Sequence, residues 1–357
     1  MLDRETVLTI LKTKLDIAPS NIAISALQGD ASNRSYYRLH YTHRDHPETL
    51  ILMELAEPEA FKKSEEAVST SRIRIDEIPY INILRHLAQS DVAVPKLYFY
   101  DPKIGLLFLE DLGDQTLEKE LKSRTAEEIR RYYRLAIDEL LKIQGPSTRD
   151  RNPNCIAFGR AFDVPLFMWE FDHFLEYGIE ARTGASIKPG DRETIRGAFL
   201  KISETLAREP RFLTHRDYHS RNLMVHRDRI WLLDFQDALM GPSVYDLASL
   251  LRDSYTVLPE PMVDDLIHYY LERRPVWINE GPQKQEPLLF RKQFDLMSIQ
   301  RNLKAAGRFV YIDIVKKKPH LLPYIPQTLG YVWRNLNRYE ELKTLRDVLQ
   351  PYVVEFQ

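Results

Sequence analysis

The chain of 357 residues is 44% hydrophobic, and its 50 basic and 52 acidic residues give a formal net charge of -2. A chain of this length can bury a substantial core, and it predicts two lobes or domains. The charge balance argues against an obligate nucleic-acid partner and against binding to an anionic membrane surface.

Cysteine content and the N-terminal segment bear on the cellular compartment. Cys155 is the only cysteine, so no disulfide within the chain and no thiolate metal cluster is expected, which fits a reducing cytosol. The opening segment MLDRETVLTILKTKLDI predicts an amphipathic helix rather than a signal peptide. No apolar run approaches the ~20 residues that span a bilayer. We expect a cytoplasmic protein.

Residues 1–110 predict a small antiparallel sheet that carries one or two helices. Alternating or short apolar patterns typical of strands occur in NIAISALQ, RSYYRLHY, TLILMEL, KLYFYD and IGLLFLED. The small polar residues GDASN form a turn between the first two strands. Helical spacing follows in EAFKKSEEAVSTSRI and in PYINILRHLAQS, where Pro79 suits a first helical turn.

Helices dominate residues 111–357. Thr125 and Glu128 predict a capping box at the start of TAEEIRRYYRLAIDELLKIQ. Long helical patterns follow in VPLFMWEFDHFLEYGIEART and DRETIRGAFLKISETLARE, and then short strands in FLT, LMVH and IWLLDF. The predicted fold class is therefore α+β, with a small sheet-rich lobe at residues 1–110 and a larger, mostly helical lobe at residues 111–357.

Residues 213–237, LTHRDYHSRNLMVHRDRIWLLDFQD, concentrate histidine, aspartate and asparagine. His215 and His219 have the spacing at which zinc hydrolases place two histidines on one helix face. The neighbouring segments FLT and LMV favour strands, however, and no continuous helical periodicity runs through the pair. The pattern therefore argues against a zinc site on a helix.

Phosphoryl transfer is the second interpretation of these residues. It needs an aspartate that orients the attacking hydroxyl, and an asparagine and a second aspartate that hold Mg²⁺ against the phosphates. Asp217, Asn222 and Asp234 follow the kinase spacing H-R-D-x-x-x-x-N…D-F-G, with Gln236 in place of the glycine. A hairpin formed by LMVH and RIWLLD would return Asp234 to the loop that holds Asp217. The spacing predicts a catalytic loop and a magnesium site.

The longer segment HRDYHSRNLM…LLDFQDALMGPSVYDLASLLRDSY resembles the aminoglycoside phosphotransferase superfamily, which has a protein-kinase-like fold. Three other segments, GDASNRSYYRL, LLFLEDLGDQTL and QRNLKAAGRF…KPHLLPYIPQTLGYV, are similar to bacterial N-acetylmuramate/N-acetylglucosamine kinases. These enzymes phosphorylate the anomeric hydroxyl of cell-wall amino sugars. The resemblance covers nearly the whole chain, and it implies a bilobal, cytoplasmic enzyme of peptidoglycan recycling that uses ATP and Mg²⁺.

The resemblance also implies roles for residues of the catalytic segment. Asp217 matches the catalytic aspartate, which accepts the proton of the sugar hydroxyl. Asn222 and Asp234 match the metal ligands and supply the hard oxygen atoms that Mg²⁺ prefers. Asp246 would brace the catalytic loop, and His215 would pack beneath the metal-binding loop.

Several polar residues are candidates for contact with the sugar. Gln236 and Asp237 follow the metal aspartate, and His219 would face either the substrate or solvent. Polar positions on otherwise apolar helical patterns are Glu170, His173 and Arg301. These would bind sugar hydroxyls, or else are capped or solvent-facing polar residues. Arg301 would also suit a lactyl carboxylate.

Nucleotide contacts are expected in the small lobe. Ser32, Asn33 and Arg34 lie where kinases have a glycine-rich loop, and they would offer donors to phosphate oxygens. The adenine edge would pair with backbone groups in the crossover between the lobes, at Glu110, Asp111 and Leu112.

One departure from the kinase pattern concerns the third strand. Kinases carry there a lysine that contacts the nucleotide phosphates and pairs with a helix glutamate. Met53 stands at that position, and PYINILRHL offers no matching glutamate. Losing both partners avoids an unpaired buried charge. We hypothesise that Arg34 or Arg38 supplies part of the missing positive charge.

The expected partners are ATP and a small sugar acceptor, and we expect a monomer. Other acceptors stay open: an aminoglycoside, choline, homoserine or a ketosamine. A polycationic antibiotic calls for an acid-rich cleft, which Arg301, Lys304 and Arg308 do not suggest. A nucleotide-binding pseudokinase, suggested by Met53, is the alternative that is not an enzyme.

Overall fold

The computed structural model describes residues 3–27, 34–43, 46–55, 72–275 and 286–357. Two compact units divide the chain: Met1–Ser64 with Val94–Asp114, and Glu65–Ala93 with Gln115–Gln357. The first is built on an antiparallel sheet and the second is mostly helical, so the predicted fold class is confirmed. The predicted lobe boundary after residue 110 stays a prediction.

A five-stranded antiparallel sheet forms the smaller unit, in the order β1-β2-β3-β5-β4. Its strands are β1 (Asn21–Leu27), β2 (Ser35–His43), β3 (His46–Glu54), β4 (Leu97–Asp101) and β5 (Leu106–Glu110). Each corresponds to a segment in which apolar and polar residues alternate or a short apolar run occurs. This local pattern therefore located the strands of the sheet.

The core of the smaller unit joins the first helix to the sheet. Helix α1 (Arg4–Lys14) begins after Asp3, whose carboxylate accepts two backbone N–H groups of the first turn. The apolar stripe of α1 is buried with strand residues in one cluster, which includes Val7, Leu11, Leu39, Leu52 and Phe108. The amphipathic helix predicted for the N-terminal segment is confirmed.

Helices make up most of the larger unit. In chain order they are α2 (Pro79–Gln89), α3 (Leu117–Leu121), α4 (Ala126–Lys142), α5 (Val164–His173), α6 (Pro189–Ala207), α7 (Val244–Leu251), α8 (Glu260–Arg273), α9 (Pro287–Lys316), α10 (Ile325–Arg338) and α11 (Lys343–Leu349). Two pairs of short antiparallel strands lie among them: β6 (Arg211–Thr214) with β9 (Leu239–Pro242), and β7 (Leu223–His226) with β8 (Arg229–Leu232).

Two helices predicted from local sequence patterns differ in how far the structure describes them. The capping box predicted for Thr125 and Glu128 is present at the start of α4. The helix predicted from EAFKKSEEAVSTSRI lies outside the described residues, except for its last two positions. Within the described ranges, no helix combines the length and the apolar character needed to cross a membrane.

The segment VPLFMWEFDHFLEYGIEART is α-helical only in its first part. Helix α5 ends at His173, and wider π-helical turns continue over Phe174–Ala181. Gly178 fits inside these turns because any Cβ there would overlap the ring of Phe174. The apolar pattern did not distinguish the two kinds of turn, since both return side chains to one face within about four to five residues.

Helix α9 packs closely against these π-helical turns. A Cβ added at Gly307 of α9 would lie 2.9 Å from Phe174 Cα and 3.1 Å from the carbonyl oxygen of His173. Both are backbone atoms, which cannot rotate aside as a flexible side chain can. The glycine therefore sets the spacing between α9, which carries Arg301, and the turns that continue α5, the helix that carries Glu170.

We expect Gly307→Ala to lower the free energy of unfolding by roughly 1–3 kcal/mol, the usual cost of overpacking. Gly197→Ala in α6 is the matched control, because a Cβ at Gly197 meets nothing within 4 Å. The control should gain about 0.5–1 kcal/mol from the better helix propensity of alanine. Denaturant unfolding measures both changes, and equal changes would contradict the close approach at Gly307.

Candidate active site

The loop between β6 and β7 is held from within the protein by Asp246. This carboxylate lies on α7, is fully buried, and accepts the backbone N–H groups of His215 at 2.6 Å and Arg216 at 2.9 Å. Burial raises the pKa of Asp246 to about 7, and the two N–H donors oppose that shift. Arg216 has a φ of 85°, a conformation that costs energy in any residue but glycine. The predicted brace is thus present, and it fixes a strained turn just before Asp217.

His215 joins the catalytic loop to the segment that leads to Asp234. Its Nε2 atom lies 2.9 Å from the carbonyl oxygen of Leu233. A carbonyl only accepts hydrogen bonds, so Nε2 carries the proton. Burial lowers the pKa of His215 to about 4, which keeps the ring neutral near pH 7. These contacts match the structural role expected for His215.

Asn222 connects both parts of the predicted magnesium site. Its side-chain nitrogen donates to the carbonyl oxygen of Asp217 at 3.0 Å. Its own backbone oxygen accepts the N–H of Leu233 at 2.9 Å, one step beyond the paired residues Leu223 and Leu232. The β7–β8 hairpin therefore returns the chain to Asn222 immediately before Asp234. Hydrogen bonds therefore join Asn222 to Asp217 and to Leu233, the residue that precedes Asp234.

The zinc interpretation does not agree with this arrangement. The residues between β6 and β7, including His215 and His219, form a loop rather than a helix. Among the residues that the structure describes, no group of three or more His, Cys, Asp or Glu side chains is arranged to hold a metal ion. The predicted magnesium site, which pairs Asn222 with Asp234, is not a group of this kind.

Gln236 lies between the two carboxylates of the segment Asp234–Asp237. Its side-chain nitrogen donates to Asp234 at 2.8 Å and to Asp237 at 3.1 Å. Gln236 is only 3% exposed, and Arg160 donates to its backbone oxygen. Contact of Gln236 and Asp237 with the sugar stays a prediction. In this arrangement the glutamine fixes the direction of both carboxylates.

Glu170 is fully buried in a cluster of internal partners. Its carboxylate accepts from Gln300 at 2.7 Å and lies 3.1 Å from Lys304 Nζ and 3.3 Å from Arg216. Burial opposes ionisation, but the charges of Lys304 and Arg216 outweigh it and lower the pKa of Glu170. A contact with a sugar hydroxyl would require this cluster to open, so the predicted sugar contact of Glu170 gains no support from its position.

Asp217 remains partly accessible beside this cluster, with 41% of its side chain exposed. Arg301 is a cation in ion-pair range, with a terminal nitrogen 3.9 Å from Asp217 Oδ1. Burial would raise the pKa of Asp217, but the charges of Lys304 and Arg301 outweigh it and hold the pKa below the ordinary range. Asp217 is therefore ionised at neutral pH and can accept a proton.

His219 packs within the protein rather than standing alone in solvent. Its ring meets the ring of Tyr255 edge-on at 5.2 Å, and its Nε2 lies 3.5 Å from the side-chain nitrogen of Asn222. Burial lowers the pKa of His219 to about 3, so the ring is neutral at neutral pH. Substrate contact by His219 stays a prediction.

His173 lies in an aromatic cluster on α5, the π-helical turns and α9. Its ring stacks on Trp169 at 5.8 Å and lies 4.8 Å from Tyr177 and 5.5 Å from Tyr311. Burial, followed by the charges of Arg308 and Lys304, lowers the pKa of His173 to about 4. Its predicted contact with the sugar stays open.

Acid should destabilise the protein through His173. Because its pKa falls from the ordinary 6.5 to about 4 on folding, the unfolded chain binds a proton more readily across that window, and stability falls as pH drops. Between pH 7 and pH 5 the free energy of unfolding should fall in wild type, and in His173→Phe this fall should be smaller by roughly 1–2 kcal/mol. The exposed His268 on α8 provides the control His268→Phe. Identical pH profiles for wild type and His173→Phe would contradict this burial.

Arg38 does not supply an uncommitted charge in the smaller unit. Its guanidinium donates to both oxygens of Asp111 at 2.7 and 3.0 Å, to Asp114 at 2.9 Å and to the carbonyl oxygen of Gly113 at 3.0 Å. Two carboxylates thus more than balance its charge. The hypothesis that Arg38 replaces the missing kinase lysine gains no support, because Arg38 instead anchors residues 111–114 to β2.

The other residues expected at the nucleotide are only partly described by the structure. Ser32 and Asn33 lie outside the described residues. Met53 is fully buried in β3, and Leu112 is 5% exposed. The side chain of Glu110 accepts the backbone N–H of Lys96 at 3.2 Å. Nucleotide contacts by Arg34, Met53, Glu110, Asp111 and Leu112 stay predictions.

Gln300 and Lys304 are site residues that sequence reasoning missed as partners of Glu170. They lie one helical turn apart on α9, which places both on the same face. Their spacing of four residues was the available signal. The acid that they meet is on α5, and a contact across so long a sequence separation leaves no local pattern.

Comparisons with known proteins agree with this fold. A family model described as "Phosphotransferase enzyme family" matches residues 23–284. An N-acetylmuramate/N-acetylglucosamine kinase of Neisseria meningitidis serogroup B is 31% identical over 77% of this chain and 79% of its own length. The kinase of that description from Pseudomonas aeruginosa is 29% identical over 90% of this chain and 86% of its own length.

A solved structure shares the fold at much lower identity. The choline kinase LicA of Streptococcus pneumoniae superposes with a TM-score of 0.59, covers 94% of this chain and 99% of its own, and is 14% identical. The family match spans most of the chain and includes the loop of Asp217, Asn222 and Asp234. This chain belongs to the phosphotransferase enzyme family.

Proposed function

We propose that this protein is a kinase that transfers the γ-phosphoryl group of ATP, with Mg²⁺, to the anomeric hydroxyl of an amino sugar such as N-acetylmuramate, N-acetylglucosamine or glucosamine. The observation that carries the proposal is the hydrogen-bonded assembly of Asp217, Asn222 and the segment before Asp234. Membership of the phosphotransferase family supports the reaction, and the 31% identical kinase of Neisseria meningitidis supports the sugar.

The donor atoms around Asn222 suit Mg²⁺. Asn222 and Asp234 offer an amide and a carboxylate oxygen, the hard ligands that this ion prefers. The amide nitrogen of Asn222 is bonded to the Asp217 carbonyl, so its amide oxygen is directed away from that bond. Asn222 and Asp234 would hold the ion. When bound, Mg²⁺ neutralises charge on the phosphate oxygens.

Asp217 would act as the base toward the acceptor. Its lowered pKa keeps it ionised, so it accepts a hydrogen bond from the sugar hydroxyl. As the sugar oxygen bonds to the γ-phosphorus, the bond from that phosphorus to the bridging oxygen of ATP breaks. The proton passes to Asp217, and ADP leaves with the electron pair. Asp246 and His215 hold the loop so that little rearrangement is needed.

We assign nucleotide recognition to residues of the smaller unit. The bonds from Arg38 to Asp111 and Asp114 restrain the residues that follow β5. This restraint supports a fixed backbone at Glu110, Asp111 and Leu112 for pairing with adenine. Arg34, together with Ser32 and Asn33, remains our proposal for the phosphate contacts.

Charge near Asp217 favours a neutral or anionic acceptor over a polycation. Arg216 and Lys304 lie within ion-pair distance of Glu170, and Arg301 lies 3.9 Å from Asp217. A polycationic aminoglycoside would be repelled there, whereas an N-acetylated sugar carries no positive charge. Gln236, Asp237 and His219 remain our candidates for contact with the sugar. We also infer a cytoplasmic monomer.

An acceptor panel tests the proposed function. Release of ADP from ATP and Mg²⁺ would be measured with N-acetylmuramate, N-acetylglucosamine, glucosamine, choline, homoserine, a ketosamine and an aminoglycoside. We expect kcat/KM for the best amino sugar to exceed that for every other acceptor by about 100-fold, which corresponds to ~2.7 kcal/mol of selective binding in the transition state. Highest turnover with choline or an aminoglycoside would contradict the proposal, as would binding of nucleotide without turnover of any acceptor.

A further inference from the structure

Arg301 is a buried arginine without a hydrogen-bonding partner. It lies on α9, is 7% exposed, and its Nε atom is buried with no acceptor. None of its nitrogens donates a hydrogen bond to another residue in the described part of the chain. Its terminal nitrogen lies 3.9 Å from Asp217 Oδ1, too far for a hydrogen bond.

The neighbouring cations differ from Arg301 because they already have a partner. Glu170 binds Lys304 at 3.1 Å and Arg216 at 3.3 Å, and Gln300 donates to its other oxygen. The buried carboxylate of Glu170 is therefore shared by two cations and does not bind Arg301, which lies as a fixed positive charge beside Asp217.

Two buried carboxylates near Arg301 also do not use its donors. Asp246 accepts the backbone N–H groups of His215 and Arg216. Asp253 accepts those of Ser220 and Tyr255, both at 2.9 Å. Arg301 lowers the pKa of both acids, although burial is the larger influence on each. Their hydrogen bonds are made without it, so Arg301 acts on them only through its charge.

A buried guanidinium whose donors make no hydrogen bond costs free energy in the free protein. An anion that binds beside Arg301 and accepts those hydrogen bonds would offset that cost. We propose that Arg301 contacts the phosphoryl group in transit and donates to its equatorial oxygens. This inference rests on the proposed function, and it makes Arg301 a catalytic residue supplied by the chain itself. The planar fork of arginine suits two phosphoryl oxygens at once.

The distance to Asp217 favours the phosphoryl group over a distant group of the acceptor. Asp217 takes the proton from the attacking hydroxyl, so its carboxylate lies within a hydrogen bond of the oxygen that bonds to phosphorus. In the same step the bond from phosphorus to the bridging oxygen of the nucleotide breaks, and the diphosphate takes the electron pair. Arg301 lies 3.9 Å from Asp217 Oδ1. It is therefore close enough to reach the equatorial oxygens of the transferred phosphoryl group.

Steady-state kinetics of Arg301→Gln and Arg301→Lys test this role. We expect kcat to fall by about 10²–10³-fold in Arg301→Gln, the typical loss for one group that stabilises transition-state charge. The KM values for sugar and ATP should change by less than about threefold, because the contact forms only in the transition state. Arg301→Lys should recover part of the rate, since lysine keeps the charge and loses the fork.

Arg208→Gln is the control, because Arg208 directly follows α6 and 79% of its side chain is exposed. The control removes the same charge from the same unit and should keep kcat within about threefold of wild type. A second readout is the affinity for ADP with fluoroaluminate, Mg²⁺ and sugar, a mimic of the transition state. Arg301→Gln should lose about 100-fold of that affinity and retain its affinity for ADP alone.

Each other outcome overturns the role. A rise in KM for N-acetylmuramate alone, with kcat retained, would assign Arg301 to the acceptor carboxylate. If Arg301→Lys were fully active and Arg301→Gln had a lowered melting temperature, Arg301 would serve only to offset the negative charges of Asp246 and Asp253. If wild type phosphorylates the sugar and Arg301→Gln does so at the same rate, the role of Arg301 is wrong and the proposed function stands. If wild type phosphorylates no sugar, the proposed function is wrong and this inference fails with it.

Discussion

Asp217→Asn is expected to lower kcat by about 10²–10⁴-fold, the range contributed by a positioned general base. Asparagine keeps the size and the hydrogen-bonding oxygen of the aspartate, but it cannot accept the proton of the acceptor hydroxyl. The KM values for nucleotide and sugar should change little, because the lost interaction belongs to the transition state. Initial-rate kinetics with the best amino sugar measure the effect.

The control for Asp217→Asn is Asp228→Asn in the turn between β7 and β8. Asp228 is 86% exposed and has a φ of 57°, a conformation that asparagine also adopts. Its substitution removes the same charge eleven residues further along the chain and should leave kcat unchanged. If Asp217→Asn retained more than about a tenth of the wild-type rate, Asp217 would not be the base that we describe.

Asp234→Asn should reduce activity by about 10³-fold at any Mg²⁺ concentration, because a metal site supplies several kcal/mol of charge stabilisation and each ~1.4 kcal/mol is a factor of ten in rate. The asparagine oxygen can still accept the hydrogen bond from Gln236 that Asp234 receives at 2.8 Å. The substitution therefore removes the charge with little change in the loop. Activity as a function of Mg²⁺, with calorimetric binding of Mg²⁺ and ATP, measures the loss.

Asp237→Asn gives the comparison for Asp234, because Gln236 contacts both carboxylates. Loss of Asp237 should alter the KM for the sugar and leave the Mg²⁺ concentration at half-maximal rate near that of wild type. If the two variants had the same Mg²⁺ dependence, the assignment of the metal to Asp234 would be wrong.

The sequence predicted the parts of this site that are close together along the chain. Asp217, Asn222 and Asp234 are separated by a loop and one hairpin, and strand patterns with short turns determine such a geometry. The family resemblance also predicted that Asp246 would brace the catalytic loop, because Asp246 lies in the matching segment. The strands of the smaller unit and the cap of α4 were likewise set by local patterns.

Contacts between distant segments were not predictable in the same way. Glu170 is an acid on a mostly apolar helix, a pattern shared by a ligand-binding residue and by a buried ion pair. Only the structure shows Lys304, Gln300 and Arg216 around it. The pattern of Arg38 in β2 likewise gave no sign that Asp111 and Asp114 occupy its guanidinium.

The treatment of positive charge changes most between sequence and structure. From the sequence, Met53 left a missing cation, for which Arg34 and Arg38 were the candidates. In the structure Arg38 is bound by carboxylates, whereas Arg301 keeps its donors vacant next to Asp217. Burial and hydrogen-bond partners decide whether a charge is available for a ligand, and neither can be read from the residue type.

The most direct test of the account is the position of the transferred phosphate. Wild-type protein with ATP, Mg²⁺ and N-acetylmuramate or N-acetylglucosamine would be followed by phosphorus NMR, with the sugar labelled with ¹³C at C1. We expect a sugar 1-phosphate whose phosphorus couples to the labelled carbon, and formation of that product at least about 100-fold more slowly with Asp217→Asn. A phosphate on another hydroxyl of the sugar, or the same product from Asp217→Asn at the wild-type rate, would contradict it.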